Sequence, residues 1–175
     1  MNEPMTRNEL LEALQDRHAE VGAFFSSLPN ELFFATDAGR WNPAQHLIHL
    51  TRISSRVTQG LQARDQLLGH ESASRGYEEV RQTYLERLRQ APSELLAKVG
   101  ASAQVEAGSS QTQLVTAYVQ AGANLCEATR TWTENELDAK AMPHLALGAI
   151  SVREMLEFVI YHDLHHLEGV RKNLA

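Results

Sequence analysis

The sequence predicts an all-α fold: a single domain over residues 1–175, built as a four-helix bundle in an up-down-down-up arrangement. Three observations carry that expectation. Apolar residues recur at helical spacing in four long stretches. No segment of strand length alternates apolar with polar residues, so essentially no sheet is expected. A long, partly helical connection separates the second stretch from the third. A link of that length can cross the bundle and leave the second and fourth helices antiparallel.

Thr6 is placed to cap a first helix, in which Leu10, Leu14, Val21 and Phe25 recur at helical spacing, and Leu28-Pro29 ends it. Asn30 to Trp41, carrying Asp37-Ala38-Gly39, reads as a connection. Asn42-Pro43 opens the second helix, with Asn as cap and Pro at its favoured first position. That helix runs through Leu50, Ile53, Val57 and Leu61 to about Leu68, where Gly69 stops it. The crossover holds a helical piece near Tyr77 to Gln90, a break at Ala91-Pro92, a shorter turn ending at Gly100, and a small, polar loop from Ala101 to Ser110. The third long helix fits Gln111 to about Trp132, with Leu114, Tyr118, Leu125 and Thr129 along one side. Residues 133–150, with Pro143 and Gly148, read as another connection. Ser151-Val152-Arg153-Glu154 then has the form of a capping box and starts the last helix, which continues to about Asn173.

Composition narrows the function classes. With 43% hydrophobic and 22% charged residues the balance is that of an ordinary globular chain, which argues against disorder. A net charge of −6 and scattered basic residues argue against a nucleic-acid partner, because neutralising phosphates needs clustered Lys and Arg. No apolar run reaches the roughly 18 residues of a membrane span. Met1-Asn2-Glu3-Pro4 lacks the apolar core of a signal peptide, so a cytoplasmic setting is expected. The single cysteine, Cys126, excludes an intrachain disulfide and a thiolate metal cluster, and in its apolar-patterned stretch it reads as a small buried hydrophobe.

The chemistry-bearing residues are histidines. There are eight, and His46, His49, His162, His165 and His166 fall in only two places. Helix residues four apart lie about 40° from each other, so His162 and His166 share a face one turn apart. Met155, Val159 and Val170 continue that face, which points both imidazoles at the core, whereas His165 is turned toward Phe158 and Tyr161. Two buried imidazoles without a partner are costly to desolvate, and a divalent metal ion resolves that cost. A third ligand must come from elsewhere. His49 lies near the apolar side of its helix, and its level matches that of His166 if the two helices are antiparallel; His46 is the alternative third ligand, farther from the apolar stripe. His18 and His70 read as solvated surface residues, and His144 as a loop residue near the mouth of a pocket. Gln45 and Asp163 are candidates either to orient a ligand or to sit exposed on their helices.

Three segments carry a family resemblance: Trp41-Asn42-Pro43-Ala44-Gln45-His46-Leu47-Ile48-His49-Leu50, then Gly148-Ala149-Ile150-Ser151-Val152-Arg153-Glu154-Met155-Leu156, then His162-Asp163-Leu164-His165-His166. Together they resemble the DinB-like (YfiT-like) superfamily of four-helix metal proteins, over nearly the whole chain. The resemblance implies the up-down-down-up bundle, a zinc or nickel ion on His49, His162 and His166, and a homodimer. It also implies transferase or isomerase chemistry that uses a low-molecular-weight thiol. The chain departs from the family at Leu167-Glu168-Gly169, where many relatives carry a Gly-Gln pair.

Three neutral imidazoles leave a coordination position open, the arrangement of catalytic zinc sites. The expected function is a metal-dependent transfer from a thiol cosubstrate to a small electrophile. The alternatives are a non-catalytic metal-binding or stress-response bundle, and a metallohydrolase that uses His162-Asp163-x-x-His166 in place of His-Glu-x-x-His. A di-iron carboxylate bundle is excluded, because no glutamate has a histidine three residues on. No catalytic acid or base is identifiable in the sequence.

Overall fold

Each of the four long helices begins with a reciprocal capping box, in which a Ser, Thr or Asn side chain takes the N–H three residues on and a Glu or Gln reaches back. Thr6 and Glu9 start α1 (Arg7–Ser27), Asn42 and Gln45 start α3 (Pro43–Gln62), and Ser110 and Gln113 start α6 (Gln111–Arg130). Ser151 and Glu154 do the same for α8 (Val152–Leu174). The computed structural model describes residues 3–36 and 39–174. Met1-Asn2, and Asp37-Ala38 of the first connection, lie outside the described residues.

The helix directions follow from contacts near the helix ends. At the start of α6 the Gln111 amide donates to the Phe25 and Leu28 carbonyls at the end of α1, so α1 and α6 are antiparallel. Met5, just before α1, meets Glu157 near the start of α8, and Arg171 late in α8 pairs with Glu20, so α1 and α8 are parallel. Along α3 His46 meets His166 and His49, further on, meets His162, which comes earlier in α8, so those two helices are antiparallel. The order is up-down-down-up, as the sequence predicts. The crossover contributes α4 (Tyr77–Arg89), which packs on α8, and α5 (Ser93–Ser102). Among the described residues no helix is long and apolar enough to cross a membrane.

Three expectations need correction. A four-residue helix, α2 (Asn30–Phe33), interrupts the first connection and buries Phe33. α3 stops at Gln62, short of Leu68: the Ala63 N–H is shared between the Gln59 and Gly60 carbonyls, and Arg64–Gln66 tightens into a 3-10 turn. The Arg64 guanidinium reaches the Thr131 carbonyl and Glu136, which draws the chain away from the helix axis. Finally, residues 133–150 are not a plain connection. They form α7 (Glu134–Ala139) and the hairpin β2 (Lys140–His144) and β3 (Gly148–Ser151), and β1 (Leu68–Gly69) pairs on the outer edge of β2. The register Met142↔Ile150 and His144↔Gly148 turns on Gly148 at φ +77°, a conformation glycine adopts at little cost. Pro143 lies beyond the end of β1, where one edge of β2 is unpaired.

The core has two apolar halves. Leu14, Leu125, Trp132 and Leu156 belong to one, and Phe25, Phe33, Leu47 and Leu167 to the other. At the boundary α1 contributes His18, α3 Ser54, α6 Tyr118 and α8 Asp163. The Tyr118 hydroxyl donates to Asp163 Oδ2 at 2.5 Å, and His18 Nε2 lies 3.7 Å from the same oxygen. His18 is therefore buried, contrary to its reading as a surface residue. Gly122 makes room for it, since a Cβ there would stand 2.4 Å from its ring. α8 is enclosed on nearly every side from Val152 to Asp163, where Arg153 pairs with Asp138 and Glu154 with Arg75.

Candidate metal centre

Capping fixes the start of α3, and with it the direction of the histidines in its first two turns. Gln45, a candidate orienting residue in the sequence, is used in that cap: its Oε1 takes the Asn42 N–H and its own N–H goes to Asn42 Oδ1. His49 then faces inward and meets His162 and His166 from α8. The three Nε2 atoms converge: His49 to His162 is 3.2 Å and His166 to His162 is 3.2 Å. These three residues each offer a ligand atom, all within 4.8 Å of one another. Nitrogens bound to one zinc-sized ion at about 2.0–2.1 Å in a tetrahedron stand roughly 3.3 Å apart, so the donor set fits such an ion.

The protonation states fit as well. Burial pushes His49 down to about 4 and drives His162 and His166 well below the usual histidine range. Neighbouring imidazoles add to the shift in all three. Neutral imidazoles near pH 7 keep the lone pairs that metal binding requires. His162 is almost fully buried and its Nδ1 has no hydrogen-bond partner.

Beside the cluster lies a cavity of about 830 Å³. The Trp41 ring stacks on His166 with ring centroids 6.0 Å apart and forms one wall. Tyr84 and Leu88 of α4 form another, and Met142 to Ala146 of the hairpin a third. Among the described residues no aspartate or glutamate lines the cavity, and Arg56 is the one formally charged side chain there.

The chain matches the DinB superfamily over residues 23–170, most of its length. The protein belongs to the DinB superfamily. No curated protein matches the chain.

Within this DinB superfamily bundle, the residues left open by the sequence take distinct places. His46 is not detached from the cluster, as its helical phase suggested: its Nδ1 is 2.8 Å from His166 Nδ1, on the far side of the ring from the convergent Nε2 atoms. Burial lowers it to about 4, so it is neutral and can accept an N–H from His166. Its signal in the sequence was the three-residue spacing from His49, which puts both rings on adjoining strips of one helix. His165 lies beside Tyr161 and lines the cavity without joining the convergent nitrogens. His144 also lines the cavity, packed on Phe158 at 4.3 Å, and its Nδ1 accepts the Ala146 and Leu147 N–H groups at 3.1 and 3.0 Å. His70 is half-buried and bonds the Asp138 carbonyl through Nδ1, so it too is more enclosed than a solvated surface residue. Asp163 is neither exposed nor in contact with the converging rings; it is committed to Tyr118 and His18. Cys126 is buried in the core, and burial raises its thiol pKa, the opposite of an activated nucleophile.

Proposed function

We propose that the protein holds one divalent metal ion, zinc or nickel, on His49, His162 and His166, and uses it to transfer a low-molecular-weight thiol to a small electrophile. The observation that carries the metal is the pair of 3.2 Å separations among three neutral, inward-facing Nε2 atoms. When bound, such an ion leaves a position for a ligand and holds a coordinated thiol as thiolate near neutral pH.

The protein's own residues account for the rest. His46 fixes the ring of His166 from its outer nitrogen, as partners of metal-bound histidines commonly do. Trp41 and the hairpin wall a mostly apolar chamber, and a thiolate with less water around it is more reactive than in bulk solvent. The thiolate sulfur attacks the electrophilic carbon; an S–C bond forms and the leaving group departs with its electron pair.

A thiol is favoured over water because the described residues that line the cavity include no carboxylate to act as general base. In the His162-Asp163-x-x-His166 segment the carboxylate that would play that part is turned away and bonded to Tyr118, which disfavours the metallohydrolase reading. Incubating the metal-loaded protein with monochlorobimane and a panel of low-molecular-weight thiols tests the proposal. A conjugation rate that disappears on chelation supports it. No metal-dependent rate with any thiol overturns the transferase and leaves a metal-binding bundle without turnover.

A further inference from the structure

The chamber beside the histidines is mostly apolar, and apart from His46, His49, His162, His165 and His166 each polar side chain described on its wall offers a hydrogen-bond donor. Arg56, exposed at the rim, has no ion-pair or hydrogen-bond partner among the described residues. His144 accepts two backbone N–H groups at Nδ1, which leaves its proton on Nε2 as a donor. The Tyr84 hydroxyl has no partner either, and burial pushes its pKa up to about 12, so it stays a donor. Among the described residues no carboxylate stands against these donors. The fixed charge that the described walls present to a ligand is therefore the positive one of Arg56.

Arg56 also sets a length. It follows His49 by seven residues on α3, two turns of helix, or roughly 10 Å along the axis. Ile53 and Val57 continue the cavity wall along the same helix. A guanidinium binds a carboxylate through two parallel hydrogen bonds and is the group best matched to that anion.

We propose that the natural ligand of this cavity is a small amphipathic carboxylate. Its anionic end lies on Arg56, its apolar body lies against Ile53, Val57 and Leu88, and its reactive end lies at the histidine cluster. The inference rests on the cavity being the substrate site of the proposed transferase, and it supplies that site's specificity.

Octanoate and octanol, matched in body and different in charge, are the probes, with Trp41 fluorescence as the readout. They are titrated into the protein as purified and again after chelation. The expected result is tighter binding of octanoate than of octanol in both states. The Arg56→Met variant loses that preference by about tenfold while octanol binding is unchanged, and Arg56→Lys falls between. Unchanged octanol binding also establishes that the variants are folded; if they are not, the wild-type comparison of the two probes decides alone. Equal binding of the two probes, no binding of octanoate, or a preference that survives Arg56→Met overturns the proposal. A preference that vanishes on chelation places the anion on the metal and overturns it too. A protein that neither contains nor takes up a metal sinks the transferase reading, whereas the octanoate preference in that same protein is measured independently.

Discussion

At the scale of single residues, His166 has two nitrogens with two partners: Nε2 faces His162, and Nδ1 faces His46. A ligand ring held on its outer side loses less freedom when a metal binds, and removing such an outer partner typically weakens metal affinity about 10–100-fold. His46→Leu is therefore expected to lower affinity within that range while the protein stays folded, as measured by competition with a chromogenic chelator. Unchanged affinity in a folded variant would show that the 2.8 Å contact positions nothing. His46 also marks a limit of phase arguments. Helical phase says which strip of a helix a residue occupies, but His46 and His49 lie on adjoining strips, and the side chain is long enough to reach the same neighbour from either.

At the scale of elements, the site depends on where α3 and α8 begin. Asn42 holds the first turn of α3, and replacing its side chain removes the acceptor for the Gln45 N–H directly before His46 and His49, while the backbone N–H that Gln45 Oε1 takes remains. Asn42→Ala is expected to cost about 1 kcal/mol, read as a lower urea midpoint with an unchanged slope. Such caps are local, three residues across, which is why Thr6, Asn42 and Ser151 were legible as helix starts and the converging histidines could be named from spacing. The chamber was not legible. Its walls come from α4 and from the hairpin β2–β3, a stretch of Lys-Ala-Met-Pro-His and Gly-Ala-Ile-Ser with no alternation to announce a strand. These short strands gain their stability from pairing with Leu68-Gly69 and from packing Met142 and Ile150 into the core, contacts distant in sequence. His18 was misread for a similar reason: its burial depends on Gly122 and Asp163 of other helices.

At the scale of the whole molecule, α8 is the enclosed helix that the other long elements surround, and its polar residues make stability depend on pH. Glu157 is fully buried, with Oε1 taking the Met5 N–H and Oε2 unpaired, and burial raises its pKa from 4.5 to about 7. The native state holds this proton more tightly than the unfolded chain does. The resulting stability is complete below pH about 4.5 and is lost as pH rises to about 7. The histidines lowered by burial act in the opposite sense over a similar range, so the difference between variants is the clean measure. Glu157→Gln, which keeps the acceptor for Met5, is expected to gain stability over wild type as pH rises from 5 to 7, by up to a few kcal/mol in urea titrations. A difference independent of pH would contradict the buried carboxyl. The fold, the family and the converging imidazoles all bear on one claim, that this bundle is built around a metal ion. Elemental analysis of the protein as purified, beside its His162→Ala variant, tests that claim most directly. The account predicts one divalent ion per chain in the wild type and none in a folded variant. Full occupancy in the variant, or a wild type that neither contains nor takes up a metal, would contradict it.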